Sequence, residues 1–94
     1  MYGGLVLPEV MPLKPPEVLT ADFDAELVVF VPSTNEAHHL DEGMSLVLAS
    51  CDGITPSADL VNEVAAGTGE DVDVVERWLA ATLTSLRDVG ILES

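Results

Sequence analysis

The chain has 94 residues, of which 17 are Asp or Glu and three are Lys or Arg, giving a formal charge of −14. Phosphate binding rests on Lys and Arg, so this balance argues against nucleic acid and anionic lipid and favours a basic or neutral peptide partner; it also serves plain solubility. A composition that is 48% hydrophobic supports one small globular domain rather than a disordered chain.

A domain of this size buries only about 60–65% of its unfolded surface, so modest stability is expected. No apolar run approaches the ~20 residues needed to span a bilayer. No Lys or Arg precedes Lys14, and no Ala-x-Ala site follows a long apolar stretch, so no secretory signal is expected. Cys51 is the single cysteine. It excludes an internal disulfide and makes a reducing cytoplasm the simplest compartment.

The N-terminal segment, residues 1–17, holds Pro8, Pro12, Pro15 and Pro16. Four prolines there forbid a helix and interrupt any strand, so an extended arm is expected, with Leu5-Val6-Leu7 as its strand-like piece. The arm either lies on the domain, residues 18–94, or adds a strand to a neighbour's sheet.

Val18-Leu19-Thr20-Ala21 reads as a short strand. Leu27-Val28-Val29-Phe30-Val31 is rich in β-branched residues and ends at Pro32, a clear strand. Ser33-Thr34-Asn35 is turn chemistry, and Ala37-His38-His39-Leu40 makes a third strand, closing an antiparallel hairpin.

Helices follow. Asp41 is the expected N-cap of the first, whose apolar face is Met44, Val47, Leu48 and Cys51, with Asp52-Gly53 as its stop. Thr55 is expected to cap the second, with Pro56 at its first position; Leu60, Val61, Val64 and Ala65 form its core face, and Gly67 closes it. The third starts near Asp71 or Asp73, where Asp73 and Glu76 have capping-box spacing. Val72, Val75, Leu79, Leu83 and Leu86 form its stripe, Gly90 stops it, and Ile91-Leu92 return to the core. The fold class expected is therefore α+β: a three-stranded antiparallel sheet followed by three helices.

No catalytic constellation accompanies these elements. His38 and His39 are adjacent on a strand and point to opposite faces. They are poorly placed to grip one metal ion together, and no Cys-x-x-Cys supports them. One is expected to face the core or a groove and the other solvent, and either could make binding pH-sensitive. Cys51 lies on an apolar stripe and reads as an inert buried thiol. No Gly-rich phosphate loop or nucleophile elbow is present, and the carboxylates are scattered along exposed faces. Neither enzymatic activity nor a cofactor is implied.

The strand hairpin, Leu40-Asp41-Glu42-Gly43 opening a helix, Leu48-Ala49-Ser50-Cys51-Asp52-Gly53 leaving it, and Leu86-Arg87-Asp88-Val89-Gly90-Ile91-Leu92 ending the last helix together resemble the PqqD-like family, also called RiPP recognition elements. The resemblance runs from about Val18 to Leu92. Asp41 stands where the family often has Asn, and both cap helices.

The resemblance implies a winged helix-turn-helix variant and a non-catalytic adaptor. Such an adaptor holds the leader of a ribosomally made precursor for a modifying enzyme, either a radical SAM protein or a lasso-type leader peptidase and cyclase. It implies that the leader adds a strand to the edge of the third strand, here Ala37, His38, His39 and Leu40, beside the third helix. Helix geometry puts Val74, Trp78, Ala81 and Ser85 on one flank of that helix, with Arg77 near it. An aromatic anchor beside small residues suits a peptide groove; equally, Trp78 completes the core. Arg77 pairs with an acidic leader residue or is a solvated charge. Two other readings stay open: a winged-helix DNA-binding regulator, which the acidic third helix disfavours, and a small structural subunit that forms a homodimer through the N-terminal arm.

Overall fold

The structure, a computed structural model, describes residues 7–24 and 26–92. Leu5 and Val6 of the strand-like arm lie outside the described residues. Three strands precede three helices: β1 (Leu19–Phe23), β2 (Glu26–Val31), β3 (Glu36–Leu40), α1 (Glu42–Ala49), α2 (Ser57–Thr68) and α3 (Val72–Asp88). The sheet is antiparallel in the order β1-β2-β3, which leaves β1 and β3 as edges. This is the expected α+β architecture.

The register explains the two faces of the sheet. Thr20, Val29 and His38 form one cross-strand row, and Asp22, Leu27 and Leu40 the next. Val29, Val31 and Leu40 on that face are buried in the core. The opposite face carries the rows Leu19-Phe30-Ala37 and Ala21-Val28-His39. Asn35 closes the β2–β3 turn at φ 58°, a left-handed conformation that Asn tolerates.

α1 is the element that joins sheet to helices, touching β2, β3 and α3, whereas no Cα of β3 comes within 8 Å of one in α3. Asp41 caps α1 as expected, its carboxylate accepting from the Met44 N–H at 2.8 Å. The buried hydroxyl of Ser45 accepts from the Leu27 N–H at 2.9 Å and donates to the Leu40 carbonyl at 3.2 Å, tying α1 to the β2–β3 ladder. α3 is the main strut, with Val75, Leu79, Leu83 and Leu86 buried. Gly90, at φ 85°, turns the chain back so that the Ile91 and Leu92 N–H groups both donate to the Leu86 carbonyl. Both side chains are buried in the core, as expected.

Residues of the arm join this core. Met11 is fully buried, its N–H donates to the Thr55 carbonyl at 2.7 Å, and the Lys14 N–H donates to the Cys51 carbonyl at 3.0 Å. Isolated bridges pair Val10 with Pro56 and Leu13 with Asp52.

Several local expectations are corrected. Cys51 lies beyond the end of α1, although it is buried as the stripe requires. Thr55 does not cap α2: its hydroxyl donates to Asp52 at 2.8 Å, Pro56 occupies the cap position, and Ser57 is the first helical residue. Asp52 wins this competition because it can bind the Ile54 and Thr55 N–H groups as well as that hydroxyl. α2 runs through Gly67 and ends at Gly69, whose φ of 76° supplies the left-handed cap. Asp71, not Asp73, stands at the N-cap of α3, without a side-chain cap bond, so no capping box forms. Val72 is 43% exposed and leaves the core stripe, since it sits in the first turn, beyond the packed part of the helix.

Candidate functional site

Two features lie toward the end of the sheet where β3 leads into α1. The first is the outer edge of β3, which pairs with no further strand among the described residues. Ser45 inserts its hydroxyl between the Leu27 N–H and the Leu40 carbonyl, the two groups that would bond directly in a hydrogen-bonding antiparallel pair. Alternation along the ladder then directs the backbone of Glu36, His38 and Leu40 toward β2, and the N–H and C=O groups of Ala37 and His39 outward. An edge of this kind offers unpaired donors and acceptors to another strand.

The histidines divide as their alternation predicts. His39 lies on the outer face, exposed, with Nε2 2.7 Å from Glu26 Oε1. His38 lies on the core-facing side and is half-buried. Its Nε2 is buried without a hydrogen-bond partner among the described residues, 3.6 Å from Glu36 Oε1.

The second feature is an open cavity of about 810 Å³, within the range of ligand sites, roughly 300–1,000 Å³. Its floor is the outward side of α1, with Gly43, Leu46 and Ala49. One wall comes from the β1–β2 end, through Asp22, Asp24 and Leu27; the other comes from Val64, Thr68 and Glu70 around the end of α2, and from Val74, Val75 and Trp78 of α3. Trp78 is held there because α1 carries glycine opposite it: a Cβ on Gly43 would stand 3.1 Å from Trp78 Cζ2. The indole packs against the core cluster with one part and lines the cavity with another. Trp78 therefore contributes to the core, as one expectation had it, and also lines this opening.

The predicted site residues thus fall into three groups. Ala37, His38, His39 and Leu40 form the β3 edge, with Leu40 itself buried. Val74 and Trp78 line the cavity. Arg77, Ala81 and Ser85 are exposed along α3, and none of them lines it. The sequence reading missed Asp22, Asp24, Glu42 and Glu70: carboxylates that look scattered along the chain converge on this one opening, and no Lys or Arg lines it. No short-range pattern links residues 22 and 70; a glycine in the first turn of α1, facing the single tryptophan, was the local signal available.

Chemistry of the reactive kind is not assembled here. Burial pushes the Cys51 thiol up to about 11, and its Sγ donates to the Val47 carbonyl at 3.2 Å, consistent with an inert thiol. Among the described residues, no three His, Cys, Asp or Glu side chains form a cluster that could hold a metal ion. No helix among them is long and apolar enough to cross a membrane.

Comparison with known proteins agrees with this geometry. Curated proteins give no match. Among solved structures, TbiB1 in complex with the TbiA(beta) leader peptide superposes with a TM-score of 0.79 at 24% identity, over 87% of this chain and 95% of that one. The family described as Coenzyme PQQ synthesis protein D (PqqD) matches residues 26–92. That span starts at β2, so β1 lies outside it, whereas the sequence resemblance runs from about Val18. With β2, β3, all three helices and more than half of its length covered by this match, the chain belongs to the PqqD family.

Proposed function

We propose that this chain is a leader-peptide recognition element: it binds the leader of a ribosomally made precursor by strand addition to β3 and presents the precursor to a maturation enzyme. The observation that carries this reading is the β3 edge, with Ala37 and His39 directing backbone groups outward. Such an edge gives general affinity through main-chain bonds, while neighbouring pockets give selectivity. Family membership supports it, and so does the leader peptide held by TbiB1, whose fold this chain shares. The separation of β3 from α3, more than 8 Å between Cα atoms, leaves the flank carrying Trp78, Arg77, Ala81 and Ser85 available as the second wall.

The chain then acts as a cytoplasmic, non-catalytic adaptor. Its partner is an enzyme acting on the bound precursor, either a radical SAM protein or a leader peptidase and cyclase. Arm residues 9–14 are engaged with their own α1–α2 loop, which supports a monomeric adaptor over a dimer joined through the arm.

The test is fluorescence polarisation with the labelled leader peptide of the precursor encoded beside this chain. Saturable binding is expected. Ala37→Pro removes an outward N–H while sparing the β2 ladder, so it should abolish binding in a chain that keeps its circular dichroism. Unchanged binding by Ala37→Pro contradicts strand addition at β3.

A further inference from the structure

The cavity above α1 lies off the end of β3, and no residue of β3 lines it. Its lining is apolar at the centre, through Leu27, Leu46, Val64, Val74 and Trp78. Its remaining charged side chains are Asp22, Asp24, Glu42 and Glu70, all exposed and all of one sign. No Lys or Arg occurs in the sequence between Lys14 and Arg77, so the sheet, α1 and α2 supply none to the rim; Lys14 lines a smaller recess that shares Asp22 with it. Four exposed carboxylates around an apolar centre draw in a cation while its apolar neighbour is buried. The indole face adds a further attraction for a cation.

We infer that this cavity is a specificity site for a peptide segment in which an apolar side chain stands beside Lys or Arg, and that the segment is the part of the bound leader running past Leu40. The inference rests on the leader-binding reading and adds to it the chemistry of the leader. Asp41, Glu42 and Gly43 follow the end of β3 directly in the chain, and the last two line the cavity. The apolar side chain enters between Leu46 and Trp78, and the basic one stays at the mouth among the carboxylates. Acidic segments are rejected by the same field.

Trp78 is the single tryptophan, so its emission reports this site directly. The experiment titrates the full chain with two synthetic probes, Ac-Leu-Lys-Leu-Lys-NH2 and Ac-Leu-Glu-Leu-Glu-NH2, at low salt. The basic probe should shift Trp78 emission saturably and the acidic probe should not. The triple variant Asp24→Asn, Glu42→Gln, Glu70→Gln changes only exposed side chains and should weaken the basic probe roughly tenfold, with most of the salt dependence lost. Leu46→Lys, at a half-exposed floor position, should abolish the response. Equal response to both probes, or a triple variant that binds like the wild type, overturns the inference. If the leader protects the Ala37 and His39 amides and binds the triple variant unchanged, the site is wrong and the leader-binding reading stands. If the basic probe binds in a rim-dependent way while no leader protects those amides, the site stands as a basic-peptide site and the leader reading fails.

Discussion

Gly43 of α1 lies against the edge of the Trp78 indole on α3, so closely that a Cβ there would stand 3.1 Å from Cζ2. This one approach sets both the seat of α3 on α1 and the shape of the cavity beside them. Gly43→Ala gains helix propensity, about 1 kcal/mol, and loses part of it to displacement of the ring, so its stability should stay within about 1 kcal/mol of wild type. Gly43→Leu drives the indole outward. Its tryptophan emission should move to longer wavelength and its affinity for the leader should fall, read from emission spectra and polarisation on the same sample.

The core prediction separates two neighbours on α3. Leu79 is fully buried while Val72 is 43% exposed. Leu79→Ala should cost about 2–5 kcal/mol in urea denaturation, and Val72→Ala should stay within about 0.5 kcal/mol of wild type.

Cys51 gives a pH prediction. Its thiol titrates near 11 in the fold against an ordinary value of 9.0, because burial penalises the thiolate. A raised value means that the folded state holds its proton more tightly. This contribution is therefore complete below about pH 9 and is lost as pH rises toward 11. At pH 8 iodoacetamide should leave the native thiol unmodified and alkylate it in urea, as mass spectrometry will show.

Asp52 gives the opposite sign. N–H groups of Ile54 and Thr55 and the Thr55 hydroxyl hold its carboxyl down at about 2, against 3.8. The lowered value means stability that is present above pH 4 and lost as pH falls toward 2. Asp52→Ala should be less stable than wild type at pH 7, and the two denaturation curves should converge near pH 2.

Much of the fold was legible because it is written in local patterns. Leu27–Val31 is rich in β-branched residues and partly buried, and the Val75, Leu79, Leu83, Leu86 spacing repeats at the helical period. The Asp41 cap and the Gly90 turn use residues whose chemistry specifies their geometry. Helix ends at Thr55, Gly67 and Asp73 misled, because several residues there could cap and tertiary bonding chose among them: Asp52 captured Thr55, and Gly69 rather than Gly67 took the left-handed position. Of the candidate site, the β3 edge and the pairing of Val74 with Trp78 were legible from strand alternation and helix phase. The acidic rim was not, since Asp22, Asp24, Glu42 and Glu70 come from separate elements that only the packing of α1 brings together. The Ser45 hydroxyl between Leu27 and Leu40 was equally hidden, as a serine on a helix gives no sign of a partner 18 residues away.

Strand addition to β3 is tested most directly by amide hydrogen exchange at Ala37 and His39, with and without saturating leader peptide. Their outward N–H groups should exchange freely in the unbound chain and slow by about tenfold or more when a peptide strand covers them, while the β1 edge stays unchanged. Peptide that binds while both amides continue to exchange at the free rate would contradict the account.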